Sequence, residues 1–164
     1  MNLALVYLQI ILMKDKAYLE ERRSLKKELI TLVEGQLMQL SEKIKLLEEA
    51  RDAETKSSVG DKYETTRSLL QSEIAKLHDQ FARKKEDLKI CKVLDIDSSN
   101  YPLKRGSLIR TNKSDFFISI PLGRIHLDGK KYYAISMSAP LVEQMKGRGS
   151  GDHFSFRGQN YEIH

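Results

Sequence analysis

The chain has no tryptophan, a single cysteine and only three prolines among 164 residues. One cysteine, Cys91, excludes an intrachain disulfide framework. Set in a helical pattern, it reads as a small buried hydrophobe in a reducing compartment, so a cytoplasmic protein is expected. Histidines are sparse as well. His78, His126, His153 and His164 are scattered, and none pairs with Cys91 at a metal-ligand spacing. Long hydrophobic runs are also missing. The most apolar stretch, Met1 to Met13, is shorter than the ~20 residues that span a bilayer. It lacks the basic start and small-residue cleavage site of a signal peptide. The expectation is no membrane partner, with residues 1–12 an upstream extension and Met13 the natural start. A membrane-surface anchor and a helix covering an apolar patch are the competing readings.

What is present is charge and periodicity. Hydrophobic residues make up 40% and charged residues 31%. That balance gives much surface per core and suits a hairpin plus a small module better than one sphere. The net charge of +5 favours acidic partners, such as nucleic acid or an acidic protein surface. From Lys14 to Ala50 there is no proline and one glycine. Ile30, Val33, Leu37, Leu40, Ile44 and Leu47 follow the alternating 3, 4 spacing of a coiled-coil seam. The pattern resumes with Leu70, Ile74, Leu77, Phe81, Lys84, Leu88 and Cys91, where Lys84 is a break. Charged runs such as Glu20-Glu21-Arg22-Arg23 read as solvated helix faces.

Between the seams lies Glu54-Thr-Lys-Ser-Ser-Val-Gly-Asp-Lys-Tyr-Glu-Thr-Thr-Arg67. Ser57, Ser58 and Gly60 interrupt a continuous helix. Two seams of similar length joined by a short polar turn predict an antiparallel coiled-coil hairpin over 13–96, with its tip near 52–61. Each arm of ~35 residues would extend roughly 50 Å. Residues 97–105 read as a linker, because turn formers, acids and Pro102 cluster there. From 106 to 164 the period changes to about two. Six strands are expected, at Ser107–Thr111, Phe116–Ile120, Gly123–Leu127, Lys131–Ser136, His153–Phe156 and Tyr161–Ile163. Asp128-Gly129 predicts a tight hairpin turn and Gly158–Asn160 a second. One short helix is expected at Pro140–Lys146, stopped by Gly147. The fold class is thus α+β.

Two stretches carry a resemblance. Ala134-Ile-Ser-Met-Ser-Ala-Pro-Leu-Val-Glu-Gln-Met-Lys-Gly-Arg-Gly-Ser-Gly-Asp152 resembles the C-terminal segment of the Gre family of bacterial transcription elongation factors. That segment runs Ile-Ser, Ser-Pro, Leu, Gly-Lys and Gly-Asp, and Met145 here replaces its usual leucine. Asp61-Lys-Tyr-Glu-Thr-Thr-Arg67 is similar to the family's Tyr-x-x-x-Arg helix start after the tip. The resemblance covers almost everything after Met13. It implies an FKBP-like C-terminal domain that binds bacterial RNA polymerase, with Ser138, Ala139, Pro140 and Leu141 at or beside the docking surface. It implies a hairpin inserted into the secondary channel, with indirect contact to the RNA and DNA of the elongation complex. Family tip acids help hold a catalytic magnesium ion, so that the polymerase cuts backtracked RNA. The factor is then no enzyme by itself and has no cofactor of its own, only Mg2+ shared with the polymerase.

This chain departs from the family at the tip. Aligned on Tyr63 and Arg67, the family's acid positions fall on Lys56 and Val59, and neither can ligate magnesium. The nearest substitutes are Asp61 and Glu64, spaced i, i+3 on one helix face. They are the expected catalytic, transiently metal-contacting pair, with Asp52 and Glu54 as alternatives. Acids in a first helical turn also complement the helix dipole, and Ser58 with Asp61 has capping-box spacing. Cleavage stimulation and channel occupation without cleavage therefore both stay open.

Other readings weigh less. A coiled-coil scaffold protein with a peptide-binding β domain is the alternative; a constitutive dimer would favour it, and a monomer the elongation factor. A prolyl isomerase lacks a tryptophan to floor its pocket. Ser138 and His126 lack a nucleophile elbow, and Gly147–Gly151 lacks the lysine of a phosphate loop. Phe116-Phe117 and Tyr132-Tyr133 read as one core and one surface residue each rather than as an RNA-reading sheet.

Overall fold

A computed structural model describes residues 3–56, 61–98 and 102–164. The architecture is α+β: two long helices precede a small β-rich region with one short helix. Helix α1 runs Leu3–Lys56 and α2 runs Asp61–Lys92. Strands follow as β1 (Leu108–Arg110), β2 (Asp115–Ser119), β3 (Gly123–Leu127) and β4 (Lys130–Ser136). Helix α3 (Pro140–Met145) precedes β5 (His153–Phe156) and β6 (Gln159–Glu162). All six expected strands and the short helix are present. No helix among the described residues is long and apolar enough to cross a membrane.

The chain divides into two compact units, residues 30–89 and residues 1–29 with 90–164. In the first unit the heptad positions are the interior. Val33, Ile44, Ile74 and Leu77 are buried. Ile30, Leu37, Leu40, Leu47, Leu70, Phe81 and Leu88 are half-buried. Fully burying a side chain of this size is worth about 1.5–3 kcal/mol, so the repeated seam is the unit's main source of stability. Polar contacts flank it. Lys43 lies 3.4 Å from Glu73, Arg51 donates to Gln71 at 3.1 Å, and His78 sits 3.6 Å from Glu48. The lysine that breaks the second seam, Lys84, is tied to Asp87 at 3.0 Å, one turn on.

The second unit holds a four-stranded sheet in the order β1-β2-β4-β3. β1 pairs antiparallel with β2, β2 parallel with β4, and β3 antiparallel with β4. β5 and β6 form a separate ribbon, joined to the sheet's end by a bridge between Thr111 and Ile163. Side chains alternate across a strand, which divides the sheet's residues between two faces. One face carries Ile109, Phe116 and Ile118 into a core with Val142, Met145, Phe154 and Ile163. The other carries Phe117, Ile125, Tyr132 and Ala134, all buried. Leu25 and Leu29 of α1 are fully buried in the same unit.

The Asp128-Gly129 turn has positive φ at both residues, 49° and 76°, as its sequence requires. The second tight turn is Arg157-Gly158, with φ of 48° and 76°, so it falls one residue earlier than expected and Gln159 already belongs to β6. Phe116 and Phe117 correct the expectation of one core and one surface residue, because both are buried. The sheet has a core on each side, so neighbouring residues both find cover.

The ends of the long helices belong to this second unit through polar contacts. Arg22, 3% exposed, donates to the carbonyls of Gly106 and Ser98, both at 2.8 Å, and of Asp95 at 3.3 Å. Lys26 donates to the Leu94 carbonyl at 3.0 Å. Asp95 accepts from Ser98 and from Lys104, at 2.9 Å for the latter. Ser98 and Lys104, within the segment read as a linker, are thus bonded into the unit. Gly106 has φ of +92°, and a Cβ there would lie 2.2 Å from the Asp95 carbonyl oxygen. Only glycine fits that crossing.

Candidate functional site

Of the four candidate carboxylates, the side chains of two are described. Asp52, in the last turns of α1, is exposed and accepts from Arg51 at 2.9 Å. Glu64, in the first turn of α2, is exposed. The side chains of Glu54 and Asp61 lie outside the described residues, as do those of Lys56 and Tyr63, and so do Ser58 and Val59 altogether. Asp61 is the first residue of α2. No group of three or more metal-ligating side chains occurs among the described residues.

The Ser138–Leu141 segment forms the entry to α3. Ala139 is the N-cap, with extended backbone, and Pro140 opens the helix where its missing N–H is harmless. Ser138 and Pro140 are exposed, whereas Ala139 and Leu141 pack against the core built around Val142 and Met145. The hydroxyls of Ser136 and Ser138 lie 2.9 Å apart, and the Ser138 N–H donates to Ser136 at 3.2 Å. The segment therefore offers two exposed residues, Ser138 and Pro140, at the corner that enters α3.

A polar cluster was hidden in a run that reads as solvated. Glu20 and Arg23 are exposed, but Glu21 and Arg22 turn inward, which corrects the reading of this run as one solvent face. The Glu21 carboxylate accepts from the Tyr132 hydroxyl and from Arg110, and Lys130 lies 3.4 Å away. Tyr18 donates to the Leu108 carbonyl, and Arg110 lies over its ring at 5.0 Å. Burial raises the Glu21 pKa, yet the Tyr132 hydrogen bond, Arg110 and Lys130 outweigh it and hold the carboxyl below its ordinary value. Burial and the bond to Glu21 push the Tyr132 phenol well above its usual range. Burial also raises Asp115, against the pull of Arg110.

A cavity of about 780 Å3 opens beside this cluster, lined in part by Asp15, Tyr18, Glu21, Arg110, Lys130 and Tyr132. Its carboxylate is firmly ionised and its phenol firmly protonated. Such a pair makes an electrostatic fastening and a poor acid–base couple near neutral pH. No signal in the sequence separates Glu21 from its exposed neighbour Glu20 except distance along the helix from Leu25 and Leu29. No protein-family model, curated protein or solved structure matches the chain.

Proposed function

We propose that the protein regulates transcription elongation by docking on bacterial RNA polymerase and inserting a helical hairpin into its secondary channel. The observation that carries this reading is the burial of both heptad seams within residues 30–89, with side-chain contacts running between α1 and α2. Those contacts support an antiparallel pair, since the residues that meet lie on either side of the polar segment 57–60. The small sheet with one helix supports an FKBP-like C-terminal domain. Its Ser138–Leu141 corner, with Ser138 and Pro140 exposed, is the proposed polymerase contact.

At the tip, Asp61 and Glu64 would share an active-site Mg2+ with the polymerase, with Asp52 and Glu54 as the alternative set. Carboxylates suit magnesium, and two metal ions can clamp a phosphoryl displacement. A factor lacking cleavage activity would act by occupying the channel. The protein is cytoplasmic in this reading, acts as a monomer and is not an enzyme alone.

The test is binding to purified polymerase followed by addition to a backtracked elongation complex with magnesium. Tight binding that weakens at least about tenfold in Pro140→Asp supports the docking corner. RNA cleavage lost in Asp61→Ala and Glu64→Ala supports the tip acids. Binding with no cleavage leaves channel occupation, and absence of binding defeats the proposal.

A further inference from the structure

The register of β3 against β4 places four side chains in one block. Arg124 lies directly opposite Tyr133, and His126 directly opposite Lys131. Directly opposed residues, and residues two apart, project from the same face. Ile125 and Tyr132 alternate with them and are buried on the other face. Arg124, His126 and Lys131 are exposed, and Tyr133 is half-buried against Phe116 at 5.9 Å between ring centres. Among the described residues none of these three basic side chains has a hydrogen-bond or ion-pair partner. No acid is among the four.

We infer that this block is a binding platform for single-stranded nucleic acid, with Arg124 and Lys131 on phosphates and a base against Tyr133. Exposed sheets are normally stabilised by opposite charges across strands, and here that partner is missing. Charge on an edge strand also discourages aggregation, which accounts for Arg124 on β3. It does not account for Lys131, because β4 is an interior strand. Tyr133 packs one side of its ring on the core beside Phe116; a purely acidic protein surface would satisfy the cations but leave the solvent-facing part of that ring without a partner. Cations interleaved with an aromatic ring are what phosphates and bases together require. The inference goes beyond polymerase docking and does not depend on it, since its test contains no polymerase.

The experiment is fluorescence anisotropy of the full chain with a labelled single-stranded oligouridylate of about ten nucleotides. Binding is expected at low salt and should weaken as salt rises. Arg124→Ser with Lys131→Ser should weaken it by about tenfold or more and flatten the log–log salt slope by about 1.4. Tyr133→Leu should weaken it by about tenfold with little change in that slope. Lys146→Ser with Arg157→Asn removes the same charge elsewhere on the surface and should change affinity by no more than about twofold. Circular dichroism should show each variant folded. No binding at low salt would overturn the inference. So would an equal loss in the control pair, or equally tight binding of a polyglutamate of matched charge.

Discussion

The two units of this chain are stabilised in different ways. Residues 30–89 rely on a repeated apolar seam, in which each residue does the same job as the one a heptad away. The unit of residues 1–29 and 90–164 combines a sheet core with individual polar contacts that are not interchangeable. Arg22 reaches carbonyls at 95, 98 and 106, and Glu21 reaches side chains at 110, 130 and 132. A repeated seam tolerates the loss of one member, whereas a single polar fastening leaves several buried groups without partners when it goes.

That difference sets the order of expected effects. Phe117→Ala empties a fully buried site and should destabilise the sheet unit by about 3–5 kcal/mol in urea unfolding. Arg22→Met keeps the stem but strips three carbonyls of their donor, and should lose about 2–3 kcal/mol in the same measurement. A loss below that of an ordinary surface change would remove the distinction between the two units.

Glu21→Gln is smaller, about 1–2 kcal/mol at neutral pH, and carries a pH signature. Glu21 has a folded pKa below its ordinary value of 4.5. Its contribution is therefore complete above that value and is lost as pH falls through the lower folded pKa. Asp95 is depressed in the same direction, first by its bond from Ser98 and then by Lys104, so wild-type acid sensitivity is not Glu21's alone. The diagnostic is the melting-temperature gap between wild type and Glu21→Gln, which should narrow as pH drops below 4.5. A gap independent of pH would show that the charge of Glu21 is not what fastens Tyr132 and Arg110. The smallest effect belongs to Leu46→Ser, outside the seam and 65% exposed, which should change stability by no more than about 0.5 kcal/mol.

The same contrast explains what could be read from the sequence. Heptad spacing is local, so the seam from Ile30 to Leu88 was legible residue by residue. Strand alternation and the Asp128-Gly129 turn are local as well. The Arg22 and Glu21 contacts span 73 to 111 positions of sequence, and no local pattern announces them. Glu20-Glu21-Arg22-Arg23 looks uniform as a string, and only the packing of Leu25 and Leu29 decides which two residues turn inward. The basic block on β3 and β4 was illegible for a similar reason. Arg124 and His126 meet Tyr133 and Lys131 only after a hairpin register is fixed. Of the candidate acids, Asp52 and Glu64 are exposed on their helices, while the side chains of Asp61 and Glu54 lie outside the described residues.

The proposed entry of the protein into RNA polymerase is tested most directly on a stalled, backtracked elongation complex with magnesium. RNA cleavage and nucleotide addition are followed with and without the protein. The expected result is either faster cleavage that disappears in Asp61→Ala with Glu64→Ala, or slowed nucleotide addition from an occupied channel. Unchanged cleavage and unchanged addition at saturating protein would contradict it.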